Sequence, residues 1–280
     1  MKRKRSPKEV NPFFLGIAIL TIIGIIMWLP LDRLITEPDF SSFQVEYVIL
    51  AIKMLLIFSI GLLLIKRLNE KALSGIGSKY NWTFKYLNLI PFYLFLLGIV
   101  GFINKDISSI DFSNVVLLLI SCLLVGFAEE FVFRGYLQPV FLKKYISHKN
   151  GIFLGVLFPA IFFGTSHLLN LSVNDNVPQV IGQSIYAIFI GFFFGVVLLK
   201  TNKLIPLAIT HGLINFFFLF GSLPSLNNKI EPAVAMILSE QIVAAAAPLI
   251  IFIPLFIIGL ILLRKITKDD VEKKINITNP

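Results

Sequence analysis

"FAEEFVFRG", Phe127 to Gly135, decides how this chain is read. It follows "NVVLLLISCLLVG" (114–126), a run apolar enough to sit in lipid, yet it sets two adjacent carboxylates and an arginine at the end of that run. An ionisable residue inside a membrane span costs on the order of 2.5–3.5 kcal/mol on insertion scales, so it marks a functional site by default. The question is whether the rest of the chain supplies partners for those charges.

The surroundings support the membrane reading. Of 280 residues, 56% are hydrophobic and 15% charged, against roughly 25% charged in soluble domains. Apolar stretches of about 18 or more residues recur along the whole length, which predicts an all-α, polytopic membrane helix bundle. Eight spans are expected, at about 12–31, 45–66, 84–103, 113–138, 151–171, 180–200, 203–222 and 236–263, each near the ~20 residues that cross a hydrocarbon core. Helices are required because backbone groups left unpaired in lipid cost several kcal/mol each. No long soluble insert or internal repeat interrupts the pattern, so residues 1–280 read as one integral membrane domain. The first apolar run ends in "MWLPLDR", not in a small-residue cleavage site, and is expected to be an uncleaved span.

The net charge of +9 is distributed by topology. The basic segments "KRKRSPK", "KRLNEK", "LKKYISHK", "KTNK" and "RKITKDDVEKK" alternate with the acidic or nearly neutral loops "DRLITEPDF", "NKDISSID", "NLSVNDN" and "SLPSLNNKIEP". The positive-inside rule then assigns every basic segment, and both termini, to the cytoplasm. A nucleic-acid partner is not expected, because no soluble domain is large enough to carry one. The single cysteine, Cys122, lies inside an apolar run and reads as a small buried hydrophobe. Gly191 and Gly195 in "GFFFG" have the small-xxx-small spacing of close helix packing, and Pro159, Pro248 and Pro254 are candidate kinks.

Few polar groups remain within the spans. Lys53 is long enough to snorkel, Glu240 starts the last span, and His148 sits in the basic loop "YISHKN". Glu130 and Arg134 stand at i, i+4 and share a helix face, with the acid first, the better order for such a pair. Arg134 stays charged and gives Glu130 a built-in counter-ion. Glu129 points about 100° away, is not served by that arginine, and is the carboxylate free to exchange a proton. A purely structural alternative makes both glutamates part of one helix-packing ion pair.

Two further clusters follow. In "FGTSH", Phe163 and His167 stack on one helical face; in "HGLIN", His211 and Asn215 do the same. Two polar side chains aimed together can donate hydrogen bonds to a developing oxyanion, or equally to a neighbouring helix. Together the clusters put a carboxylate, two imidazoles and an amide on three spans of one small bundle.

In order, "EEFVFR", "FGTSH" and "HGLIN" resemble the Glu-Glu-x-x-x-Arg, Phe-x-x-x-His and His-x-x-x-Asn/Asp motifs of the CAAX-protease and bacteriocin-processing (CPBP, or Abi) family of intramembrane proteases, which includes the type II CAAX prenyl endopeptidases. The likeness covers about Asn114 to Phe220, within the 113–222 segment that carries the motifs. It implies an intramembrane endopeptidase in which Glu129 and His167 activate a water, His211 and Asn215 stabilise the oxyanion, and Glu130, Arg134 and Phe163 support the site. It implies a peptide or membrane-protein substrate within the lipid bilayer. With short loops and minimal length, a bacterial member in the plasma membrane is expected, acting in peptide or membrane-protein processing or in bacteriocin self-immunity. Metal-independent chemistry is favoured; the alternative is zinc held by Glu129, His167 and His211 in a His₂Glu manner. Competing functions are a non-catalytic scaffold or immunity protein, and a proton-coupled transporter, for which repeated halves are lacking.

One expectation strains this picture. His167 falls within about a turn of the outer loop, whereas Glu129 and His211 fall in the cytoplasmic half, a mismatch on the order of 10 Å at ~1.5 Å per residue. Either the fifth helix runs past Asn170 into "LSVNDNVPQV", or it tilts.

Overall fold

The computed structural model describes residues 10–34, 40–68, 71–76, 98–99, 107–224 and 237–276, and every regular element among them is helical. The expected third span, 84–103, lies outside the described residues apart from Gly98 and Ile99. The remaining spans appear as helices, named here in chain order: α1 (Pro12–Met27), α2 (Ser42–Lys66), α3 (Phe112–Glu129), α4 (Gln138–Tyr145), α5 (Gly151–Ser166), α6 (Val177–Thr201), α7 (Leu204–Phe220), α8 (Leu238–Leu263) and α9 (Lys268–Asn276). Among the described residues, 6 helical runs are long and apolar enough to cross a membrane, and α7 is a shorter apolar helix. The protein is an all-α, polytopic membrane helix bundle.

Polar residues punctuate the apolar runs and start the helices. Asn11 caps α1 by accepting from the Phe13 N–H, and Pro12 follows at the first helical position, where its missing N–H costs nothing. Ser41 and Gln44 close a capping box at the start of α2. Asp111 caps α3 through the Ser113 N–H, and Asn176 caps α6 through the Gln179 N–H. At the far end of α6, Asn202 takes the left-handed conformation that closes helices (φ 54°). Lys53 does not run out to solvent: its Nζ donates to the Met27 carbonyl at 2.6 Å, satisfying the C-terminal end of α1.

Two boundaries differ from the sequence expectation. The fourth span does not end at 138 but continues as helix to Tyr145, a run of 34 residues. Phe141 and Leu142 are fully buried, so the "LKKY" segment belongs to the packed bundle, with its lysines in the last turn, where cations suit the helix dipole. The fifth helix does not extend through "LSVNDNVPQV": α5 gives way at His167 to a 3₁₀ stretch that stops at Ser172, and α6 begins at Val177. Pro159, Pro248 and Pro254 all lie inside continuous helices.

Between α3 and α4 the fourth span takes a π-helical form over Glu130–Leu137, shown by the Gln138 N–H donating to the carbonyl five residues back, Phe133. Glu130 to Gly135 and Leu137 are all buried, and α1, α2, α5, α6 and α7 all pack against this segment. It is the centre of the bundle. Its neighbour α7 is held to α3 backbone against backbone. A Cβ on Gly126 would come within 2.6 Å of the Gly212 nitrogen, and one on Gly212 within 2.7 Å of Leu123 Cα. That approach fixes the residue beside Gly212, which is His211, against the end of α3.

Candidate active site

Glu129 is the last residue of α3 and Glu130 the first of the π segment. Both carboxylates reach one imidazole on α7. His211 Nδ1 lies 2.8 Å from Glu130 Oε1, and His211 Nε2 lies 3.4 Å from Glu129 Oε2. The expected i, i+4 pair is present too, with Arg134 Nη1 3.1 Å from Glu130 Oε1. One oxygen of Glu130 therefore serves both Arg134 and His211. The sequence left Glu129 without a partner on its own helix; across the interface it meets His211.

Burial separates the two carboxylates. The Glu130 side chain is 0% exposed, whereas that of Glu129 is 19% exposed, so one is sealed in the bundle and the other opens outward. The cost of sealing a charge is offset only by close partners and hydrogen bonds. Arg134 supplies the charge and is itself held from the side: its guanidinium lies 4.1 Å from the centroid of the Phe163 ring, a cation–π contact in a site without solvent. Among the described residues, Glu130 Oε2 and Arg134 Nη2 have no hydrogen-bond partner, and Arg134 Nη1 meets Glu130 as an ion pair without hydrogen-bond geometry.

Phe163 links the three clusters. Its ring meets His167 edge-on at 4.9 Å and His211 edge-on at 5.9 Å, with Arg134 over its face. Phe194 of α6 closes on His211 from another direction at 5.6 Å. His167 stands where α5 passes into the 3₁₀ stretch, half-buried, with Nδ1 3.0 Å from the Phe163 carbonyl. A carbonyl only accepts, so Nδ1 carries the hydrogen and Nε2 is the lone-pair nitrogen of the neutral ring. Glu129 and His211 are both near enough to act on His167 electrostatically. Asn215 lies one turn beyond His211 on α7 and is half-buried.

Several supporting residues escaped the sequence reading. Gln183 accepts from Asn170 Nδ2 at 3.0 Å, and Ser184 donates to the Gly164 carbonyl at 2.9 Å, tying the His167 segment to α6. Their signal was two adjacent polar residues in the otherwise apolar "VIGQSIYAI". Gln138 donates to the Gly195 carbonyl at 3.0 Å. Tyr186, stacked on Phe252 at 4.9 Å, is close enough to feel the charge of Glu129.

Whether these residues fit a metal is a question of donor grouping. Among the described residues, no three His, Cys, Asp or Glu side chains are grouped to hold a metal ion. The candidate zinc set Glu129, His167 and His211 is not assembled in this arrangement, and both nitrogens of His211 face carboxylates.

The fold thus defines a multi-pass integral membrane protein with a buried Glu–Glu–Arg–His centre. The segment 111–217, which holds every residue of that centre, matches the family model described as type II CAAX prenyl endopeptidase Rce1-like, a family of proteases. No curated protein and no solved structure matches the chain.

Proposed function

We propose that the protein is an intramembrane endopeptidase whose base is Glu129. The observation that carries this reading is the asymmetry of the two carboxylates: Glu130 is sealed with Arg134, and Glu129 is partly open beside the His211 imidazole. In the proposed reaction a water held between the Glu129 carboxylate and His167 Nε2 gives a proton to Glu129 and attacks the peptide carbonyl. The proton then passes to the leaving amine. The tetrahedral oxyanion is stabilised by donors on α7, His211 and Asn215. Glu130, Arg134 and Phe163 hold the imidazole in place.

The proposal keeps the expected topology: eight spans in a single domain, both termini cytoplasmic, in a bacterial plasma membrane. The alternation of basic and acidic segments supports it. The substrate would be a peptide or membrane protein in bacterial peptide processing or bacteriocin self-immunity, and the chemistry would need no metal.

The test is cleavage of a quenched-fluorescence peptide library by the purified chain in liposomes. Glu129→Gln and His167→Ala are expected to lower cleavage by 10²-fold or more, on the order of a general base's contribution, while the protein stays folded. Unchanged cleavage in both variants overturns the assignment. Activity that persists in a chelator with no metal bound removes zinc, and activity restored only by zinc removes the metal-free mechanism. If Glu129→Gln keeps biological activity that Arg134→Ala destroys, the polar centre serves a non-catalytic scaffold.

A further inference from the structure

The "GFFFG" stretch of α6 first reads as a packing motif, and its two glycines indeed sit at close approaches. They differ in what they approach. A Cβ built on Gly191 would lie 2.9 Å from Arg134 Nη2, 2.9 Å from Phe163 Cδ1 and 3.4 Å from Ala160 Cβ. Its nearest neighbours are therefore the guanidinium and the ring that together back both histidines. Arg134 is 1% exposed, and Nη2, the atom aimed at Gly191, has no hydrogen-bond partner among the described residues. The space left by the missing side chain is the space in which the guanidinium rests.

We propose that Gly191 is a positioning residue of the Glu129–Glu130–His211 centre, acting through Arg134. The inference rests on the endopeptidase reading for its kinetic consequence but not for its structural one. With glycine at 191, the guanidinium settles over the Phe163 ring and stays within 3.1 Å of the Glu130 oxygen that also holds His211 Nδ1. A methyl group at 191 meets both the Phe163 ring and the guanidinium at 2.9 Å, and of the two the tip of the long arginine side chain yields more readily than the buried ring. The guanidinium shifts, Glu130 loses its counter-ion geometry, and His211 loses its anchor. The fold has less to lose, because no backbone stands among the atoms closest to that methyl group.

Gly182, also on α6, supplies the contrast. A Cβ there would lie 2.9 Å from the Ala245 carbonyl oxygen of α8, so a side chain must push a helix backbone rather than a side-chain tip. It sits more than two turns from Gly191. A packing glycine and a positioning glycine are thus present on one helix.

The experiment compares Gly191→Ala with Gly182→Ala in the full chain. The protein has 3 histidines, so the ring nitrogens of His211 can be followed by nitrogen-15 NMR after histidine labelling. Gly191→Ala is expected to fold, to shift the His211 ring-nitrogen signals, and to lower kcat on the order of 10–100-fold with KM little changed, the scale of a small misplacement of catalytic groups. Gly182→Ala is expected to lower thermal stability while leaving the His211 signals and kcat as in the unsubstituted protein. Three results overturn the proposal: His211 signals unchanged by Gly191→Ala, His211 signals moved equally by Gly182→Ala, or a Gly191→Ala chain that does not fold. If the unsubstituted chain cleaves no peptide in the library, the endopeptidase reading falls, and the NMR comparison still decides the role of Gly191.

Discussion

The fourth span, Phe112–Tyr145, and the last, Leu238–Leu263, are both long apolar helices, yet they do opposite things. The first exposes Phe112, Val116 and Ile120 near its start but is enclosed where it carries its charges; the second leans on α6 and exposes Ile242, Val243, Ile250, Ile253, Ile257 and Ile261 to the surroundings. Hydropathy does not tell them apart, because lipid is as apolar as a protein core and an exposed isoleucine costs nothing there. What separates them is the charge the fourth span carries. A buried Glu–Arg pair demands neighbours, so five other helices gather round it, while a helix with nothing to hide is left to face lipid.

The sharpest way to break this comparison is to remove one charge from the fourth span. Arg134→Ala leaves Glu130 without its cation in a site that water does not reach, and breaking one side of a buried pair costs about 3–5 kcal/mol. Ile250→Ala, at a position 74% exposed on α8, is expected to change stability by under about 0.5 kcal/mol. Thermal unfolding in one detergent measures both. Equal losses would mean that the charged centre is not what organises the bundle.

A smaller effect tests the aromatic side of that centre. Phe163→Leu keeps an apolar side chain but removes the ring that Arg134 covers and that both histidines touch edge-on. The cation–π contact is worth about 2 kcal/mol when desolvated, so a loss of that size is expected, with a larger fall in peptide cleavage than in stability. Phe256→Leu on α8, which loses ring contacts with Phe189 and Phe192 away from the histidines, is expected to leave cleavage intact. If the two substitutions lower cleavage alike, Phe163 is only filler.

Much of this could be read from the chain before its structure. The Glu130–Arg134 pair was legible because i, i+4 neighbours meet whatever else the helix touches. The His211 bridge was legible only as a set of residues needing a partner, because the contact depends on how closely α3 and α7 approach. Gly126 and Gly212 set that approach, and a lone glycine in an apolar run does not announce its partner. The π-helical turn was not legible at all, since no local pattern encodes it. Helix α9 was legible only as part of the basic segment "RKITKDDVEKK": its lysines and acids dominate the composition, while Val271 and Ile275, at i, i+4, are the residues that dock.

That short helix supplies the smallest prediction and a different use of charge. In the fourth span a carboxylate is kept by a buried cation; in α9 a solvent-exposed one is kept by a cap. Thr267 N–H and Oγ–H both donate to Asp270 Oδ2, at 3.0 and 2.7 Å, and the Asp270 N–H returns a bond to Thr267 Oγ. These hydrogen bonds from Thr267 hold the Asp270 carboxyl below the ordinary carboxylate range. A depressed value in the folded state means that the cap stabilises α9 at any pH above the unfolded carboxyl's value, about 3.9, and that this contribution fades as pH falls through the lower, folded value. Thr267→Ala removes one donor and the returning acceptor, and is expected to cost under about 1 kcal/mol, as for an exposed cap. Hydrogen exchange of the α9 amides is the measurement. Protection should be steady from neutral pH down to about 4, decline below that in the natural sequence, and be weaker at every pH above 4 in Thr267→Ala. Because Lys274 of α9 donates to the Leu199 carbonyl at the end of α6, loosening α9 frees one helix end but leaves the buried pair sealed. Cleavage by Thr267→Ala should therefore equal that of the natural sequence; a fall comparable to that of Arg134→Ala would show that the surface cap and the buried pair are not separate devices.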